Sequence, residues 1–393
     1  MLGVGAMLGA GIFVLTGQAA ATEAGPSITL SFALAGVVCA LAALCYAELA
    51  AMVPVAGSAY TYTFATLGQL IAFIIGWDLV LEFTIGASAV AVGFAGYLNA
   101  LLDQVFGVTL PDAITIAVLL LVLATGVTEV DTGNWDPYFP FGFSGVVGGA
   151  ALVFFAYIGF DIVATTAEES KNPSRTMPIG ILGSLAIVTL LYVLVSGVLT
   201  GIAPFKELEG DAPIADAFKN LGKDWIAAIV YVGALAATLK TVMLLMLGQS
   251  RVAFAMSRDR LLPERLGRTH ERYGTPHRIT LITIAVVAAM AGFVPLSTLA
   301  ELVNIGTLFA FMLVAVGVLY LRRAEPERER PFRTPLSPAI ALLAIAGCIY
   351  LAVTLPADTW IRFAVWMVLG LVVYVLYARG SSRVGEDRAR ESS

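Results

Sequence analysis

Apolar runs of bilayer-crossing length follow one another along the whole chain, separated by short polar breaks. A helix needs about 20 apolar residues to cross the hydrocarbon core. Eleven stretches approach or exceed that length: a glycine-rich first segment, then 28–53, 68–102, 113–127, 146–167, 179–202, 225–256, 279–294, 299–321, 336–355 and 361–377. Lipid offers no partner to backbone N–H and C=O groups, so each run must close its own hydrogen bonds as a helix. The pattern predicts an all-α polytopic membrane protein, with one transmembrane domain over 1–380 and a short polar tail, 381–393, too hydrophilic to pack. The run 113–127 is only just long enough, whereas 68–102 exceeds the bilayer and predicts tilt or protrusion.

Two of these runs are interrupted. The first, GVGAMLGAGIFVLTG over 3–17, carries Gly3, Gly5, Gly9, Gly11 and Gly17. Each glycine costs roughly 1 kcal/mol against alanine inside a helix. Either Gly5 and Gly9 form a small-xxx-small seam for close helix packing, or the helix is broken and its freed backbone groups face a cavity. The second is FFAYIGFDIVATT over 154–166, where Gly159 and Asp161 break an apolar span. Gly159 alone would read as a packing glycine; Asp161 shifts the balance, because carboxylates inside a membrane are costly and mark function. One early and one mid-chain break is the pattern of a transporter built from inverted repeats.

Composition agrees with the pattern: 59% of residues are hydrophobic and 13% charged, with mean hydropathy +0.88, against about a quarter charged in a soluble domain. Charge is unevenly placed. The net charge is −5, and no Lys or Arg precedes Lys171. Orientation therefore rests on the second half. The Lys171/Arg175 turn, the seven arginines from Arg251 to Arg278, the cluster after Leu321 and the tail after Tyr377 are expected to be cytoplasmic, because positively charged loops stay inside. The acid-balanced stretch 206–224 is expected outside, and the C-terminus inside, in a plasma-membrane protein. The chain opens on an apolar run with no basic flank, so a missing N-terminal piece is expected.

Cys39, Cys45 and Cys348 lie in apolar runs and read as buried free thiols. The two histidines share one basic loop, so no metal or haem site is expected. No cofactor and no nucleic-acid partner is expected either. Enzyme motifs of the H-E-x-x-H or nucleophile-elbow kind are missing from the sequence, and no charge rings suggest a channel.

Ionisable residues inside the runs narrow the chemistry. Asp78 and Glu82 stand four apart, on one helix face. Glu48 is a weaker candidate, and Glu23 and Glu301 read as interfacial. Lys240 lies about ten residues from the nearest end of its span, too deep to snorkel easily. It is a functional candidate, with a structural ion pair joining two helices as the competing reading.

The runs GAMLGAGIFVLTG, PVAGSAYTYTFATLG (54–68), GWDLVLEF (76–83), FFAYIGFD with the following EESKNPSR, and GQSRVAFAMSRDRLLP (248–263) together resemble the amino acid–polyamine–organocation superfamily, and within it the cationic amino acid transporters. The resemblance covers nearly the whole chain. It implies a leucine-transporter-type inverted repeat and secondary active amino acid transport, by proton symport or exchange, with a small amino acid and protons as partners. It implies a substrate α-carboxylate on backbone N–H groups at Gly9, Ala10 and Gly11, and an α-ammonium on carbonyls at Phe155, Ala156 and Ile158. Phe155 and Phe160 would form a gate or pocket wall, with core packing as the alternative. Glu82 matches a carboxylate linked with proton coupling, Asp161 stands beside the break, and Lys240 falls where relatives hold small hydroxyl residues near a cation site.

The chain departs from its relatives in one respect. They have twelve spans and this sequence has about eleven; 113–127 resembles the fourth, so the fifth and its lysine are expected to be missing. Removing one span reverses everything upstream and sets the two broken helices in conflict, so either 113–127 does not span fully or the first four segments sit inverted. A deletion product or non-transporting relative that keeps the scaffold and at most binds amino acids is the alternative reading. In the transport reading, Lys240 partly replaces the lost lysine.

Overall fold

A computed structural model describes residues 2–52, 58–102, 112–165, 170–272 and 274–379. Expectations placed on Pro54 to Gly57, Pro111, Glu168, Glu169 and the tail 381–393 lie outside the described residues. The described chain is helical, without a strand. The first leg comprises α1 (Leu2–Met7), a break, and helical turns over 11–24. Next come α2 (Ile28–Met52), the short α3 (Ser58–Thr66), α4 (Gln69–Leu102) and α5 (Asp112–Gly126). The second half opens with α6 (Gly142–Val153), a second break and α7 (Phe160–Thr165). It continues through α8 (Pro173–Ile202), α9 (Pro213–Asn220), α10 (Asp224–Arg258), α11 (His277–Phe293), α12 (Leu296–Ala324), α13 (Ala339–Val353) and α14 (Ala357–Val373).

Among the described residues, seven stretches are long and apolar enough to cross a membrane and three shorter apolar helices accompany them. The first of the seven, Gly11–Met52, is two legs, because Gly25 adopts φ +61° and Pro26 follows it. With that reversal the legs match the eleven runs of the sequence, as expected of an all-α polytopic membrane protein.

Contacts at the helix ends fix direction. Gly3 stands against Val163 and Ser184, and Gly17 against Leu208 and Pro213, so the first leg runs toward the face that carries loop 203–223. On the way back, α2 ends at the arginine-rich face, where the nearly inaccessible Glu48 binds Arg322 Nε (3.1 Å) and Nη2 (2.7 Å) and accepts the Thr334 N–H (2.8 Å). Glu48 is thus a structural pin between α2 and the loop after α12. In the second half α6 begins at the opposite face, with Gly145 against the Glu23 carbonyl, and α8 climbs from Lys171 toward loop 203–223. The two broken legs are therefore antiparallel, as an inverted repeat requires.

The packing also relocates one helix. In the second half, α12 lies on α2 and α4, while α11 lies on α4 and α10. Exchanging the halves, the counterpart of α12 should lie on α8 and α10. That is where α5 sits: Gly126 meets Val198 and Phe218, Val118 meets Gly233, and Glu129 after the helix pairs with Lys223 at 2.5 Å. The counterpart of α11 would lie on the same pair, α10 and α4, and among the described residues no second apolar helix of spanning length is packed on both beside α11. The run expected as the fourth helix thus occupies the fifth position. Both α4, through Gly96 against Asp211, and α5, through Gly126, end at the face of loop 203–223. They run parallel, and this spares the upstream legs the reversal that the span count implied.

Candidate functional site

The first break follows from its glycines. After Met7 the helix stops: Gly9 N–H turns back onto Met7 O (2.9 Å) instead of the carbonyl four residues earlier. Ala10 regains helical angles (φ −56°, ψ −25°), and 11–15 continue as a wide π turn, with Thr16 Oγ1 donating to Gly11 O at 3.2 Å. Such wide turns recur at functional sites. The carbonyls freed by the break find hydroxyls instead. Tyr192 of α8 donates to Met7 O (2.6 Å), and Thr241 of α10 lies 3.5 Å from Leu8 O.

At the second break, α6 tightens into a 3-10 turn over Phe154–Tyr157 and Ile158 turns extended (ψ 131°). Gly159 follows at φ +127°, which side chains on L-residues rarely tolerate. Asp161 Oδ1 accepts the Gly159 N–H at 3.1 Å and so caps the resumed helix. The Ala156 carbonyl lies 2.9 Å from the same Tyr192 hydroxyl that reaches Met7 O. One phenol thus stands between the two breaks.

The breaks cross each other directly. A Cβ on Gly11 would fall on the Ala156 backbone, and one on Gly159 would lie 2.9 Å from the Ala6 carbonyl carbon. Between them is a space of about 10 Å³, bounded by Met7, Gly9 to Gly11, Phe155, Ile158, Val90, Thr241 and Leu245. That volume holds about one water. Any larger ligand requires the breaks to part.

Of the sequence-selected residues, Gly9, Ala10, Gly11, Phe155 and Ile158 bound this space, and Ala156 stands against Gly11. Phe160 points elsewhere, packing edge-on against Tyr46 (5.7 Å between centroids) and tilted against Phe311 (5.0 Å). Glu82 is fully buried on α4, beside Thr307 and within electrostatic reach of Asp78 and Asp161. Asp78 stands one turn away against Gly306, with neither carboxyl oxygen hydrogen bonded among the described residues. Lys240 does not bound the space. Its ammonium is buried, and the antiparallel register set by Gly233 and Val118 puts it level with the start of α5. Its neighbour Thr241 is the residue that meets Gly9, with Oγ1 2.8 Å from where a Cβ would stand.

Tyr192, Thr241, Val90 and Leu245 were not singled out in the sequence. Hydroxyls satisfied by a carbonyl one turn back, as Thr241 is by Ala237 O (2.9 Å), are ordinary in membrane helices.

Hydrogen bonds tie the neighbouring elements together toward each face. On the arginine-rich face Tyr60 donates to Asp259 Oδ2 (2.6 Å), and Arg251 Nη1 donates to Thr165 O (3.2 Å), capping α7. Burial, and then the Asp259 charge, push the Tyr60 phenol pKa upward, so the pair holds as phenol and carboxylate. On the other face Tyr97 donates to Phe13 O (2.7 Å).

The family described as "Amino acid permease" matches this chain over residues 1–125 and 104–374. This chain belongs to the amino acid permease family. The permease is 44% identical to the branched-chain amino acid permease BcaP of Bacillus subtilis, over 98% of this chain and 93% of that one. It is 41% identical to the methylthioribose transporter of the same bacterium (97% and 92%) and 35% identical to human cationic amino acid transporter 4 (91% and 65%). These relatives confirm the superfamily that the motifs resemble. The two family matches overlap over 104–125, so one segment answers to two places in the family pattern. The alignment with BcaP runs over 434 positions, at least 41 more than the 393 residues of this permease. That length suffices for one span of about 20 residues with its turns.

Proposed function

We propose that this permease is a secondary active transporter of neutral amino acids with small or medium apolar side chains, located in the plasma membrane with its arginine-rich face and C-terminus in the cytoplasm. The observation that carries the proposal is the crossing of two glycine breaks, Gly11 on Ala156 and Gly159 on Ala6. Backbone N–H groups at a helix break attract anions, and carbonyls at a helix end attract cations. Gly9, Ala10 and Gly11 therefore receive the substrate carboxylate, and Phe155, Ala156 and Ile158 its ammonium. The substrate side chain meets Val90, Ile158, Leu245 and Met7, with the Thr241 hydroxyl and no charged group around it. BcaP, named for branched-chain amino acids, supports the same class.

Protons or a counter-transported amino acid supply the drive. In the proton scheme, Glu82 and Asp161 carry the proton between the second break and α4, and the Lys240 ammonium, next to Thr241 in sequence on α10, supplies the positive charge that a bound cation would otherwise bring. The test is accumulation of radiolabelled leucine in proteoliposomes under an inward proton gradient. We expect accumulation that a protonophore collapses, with competition by isoleucine and valine but not arginine. The uncovered face of α10 and α4 favours a second reading, a scaffold that binds without transporting. Leucine binding without accumulation or exchange would establish that reading instead.

A further inference from the structure

A second cavity, independent of the crossing breaks, opens between α4, α10, α11, α12 and α14. It measures about 380 Å³, within the range of ligand cavities. Its wall is almost wholly apolar, with Leu81, Val286, Leu302 and Trp366 among its residues and Arg362 as its one charged group. Two of its other polar residues serve each other, since Thr283 Oγ1 donates to Gln249 Oε1 at 2.7 Å.

Arg362 is different. Arg322 and Arg330 are tied to Glu48, but Arg362 makes no ion pair or hydrogen bond among the described residues, and even Asp358 one turn earlier does not bridge to it. It lies five residues into α14, about 8 Å along the helix, near the face of loop 203–223. From Arg362 the apolar wall continues along α14 through Val365, Trp366 and Leu369. The wall is rigid: Trp77 and Trp366 stack at 4.6 Å, and each indole N–H donates to the other residue's carbonyl (3.0 and 3.2 Å). This clasp fixes α14 on α4, so the groove cannot close by collapse of the helix.

We propose that this groove binds one anionic glycerophospholipid, its acyl chain along the apolar wall and its phosphate on Arg362. Basic positions beside grooves between membrane helices recognise anionic head groups, and an unpaired guanidinium matches a phosphate with parallel N–H donors.

Native mass spectrometry of the full chain in detergent tests it, with phosphatidylglycerol and phosphatidylcholine of identical acyl chains. The expected result is one phosphatidylglycerol retained per protein, with at least fivefold preference over phosphatidylcholine. Arg362→Gln should abolish the preference, and Val286→Trp, a substitution at the open side of the groove, should abolish retention of both lipids. Equal retention of the two lipids by the unsubstituted protein would overturn the proposal, as would an undiminished preference in Arg362→Gln or undiminished binding in Val286→Trp. Thermal melting gives a second readout that does not depend on either variant. Phosphatidylglycerol should raise the Tm of the unsubstituted protein and inorganic phosphate should not; an equal rise with both would rule out a lipid site.

Discussion

Tyr192 concentrates the most consequence in one side chain. Its hydroxyl lies within hydrogen-bonding distance of Met7 O and Ala156 O, the carbonyls on which the two breaks open. Met7 O keeps the Gly9 N–H without it, but Ala156 O loses this partner, and leaving a buried acceptor unpaired costs about 1–3 kcal/mol. Tyr192→Phe is expected to lower the melting temperature by several degrees and to weaken leucine binding, which differential scanning fluorimetry and equilibrium binding would measure. Lys240 makes a contrasting claim. If its ammonium replaces a cation beside Thr241, Lys240→Ala should reduce leucine uptake in vesicles at least tenfold and alter its dependence on pH. Unchanged uptake with an unchanged pH profile would remove Lys240 from the mechanism. Some of these residues were legible in the sequence because they offend locally: glycines at 9, 11 and 159 and the acid at 161 do not belong in a lipid-spanning helix. Tyr192 and Thr241 offend nothing. A tyrosine or threonine in an apolar span is unremarkable until the fold brings another segment's open carbonyl to it.

Among the elements, α5 shows where one-dimensional reading stops. A mostly apolar run of fifteen residues states that a helix forms and says nothing about which neighbours it meets. The resemblance put it fourth, whereas its contacts with α8 and α10 put it fifth, parallel to α4. At a rise of 1.5 Å per residue it is about 22 Å long, shorter than the roughly 30 Å hydrocarbon core. Paired cysteines in a background without Cys39, Cys45 and Cys348 test the arrangement. Gly96→Cys with Asp211→Cys, and Gly126→Cys with Val198→Cys, should each cross-link on mild oxidation, since both pairs are in contact near loop 203–223. An antiparallel α5 would leave the second pair unlinked. The broken legs, by contrast, were legible as elements, because two interruptions half a chain apart already imply a repeat.

Across the whole molecule, the inverted halves meet at a space of about 10 Å³, too small for any amino acid. Transport in this account is the parting of the two crossed legs, first toward one face and then the other. The ties at Tyr60 to Asp259 and Tyr97 to Phe13 are the contacts that must be exchanged. The central claim is that the crossing itself is the substrate site. Equilibrium binding of radiolabelled leucine to purified Gly11→Ala and Gly183→Ala tests it most directly. A Cβ at 11 falls on the Ala156 backbone, while one at 183 meets nothing within 4 Å. Gly183→Ala is expected to bind with a Kd within twofold of the unsubstituted protein, and Gly11→Ala, still folded by its melting transition, to lose at least tenfold in affinity. Leucine binding by Gly11→Ala at unchanged affinity would contradict it.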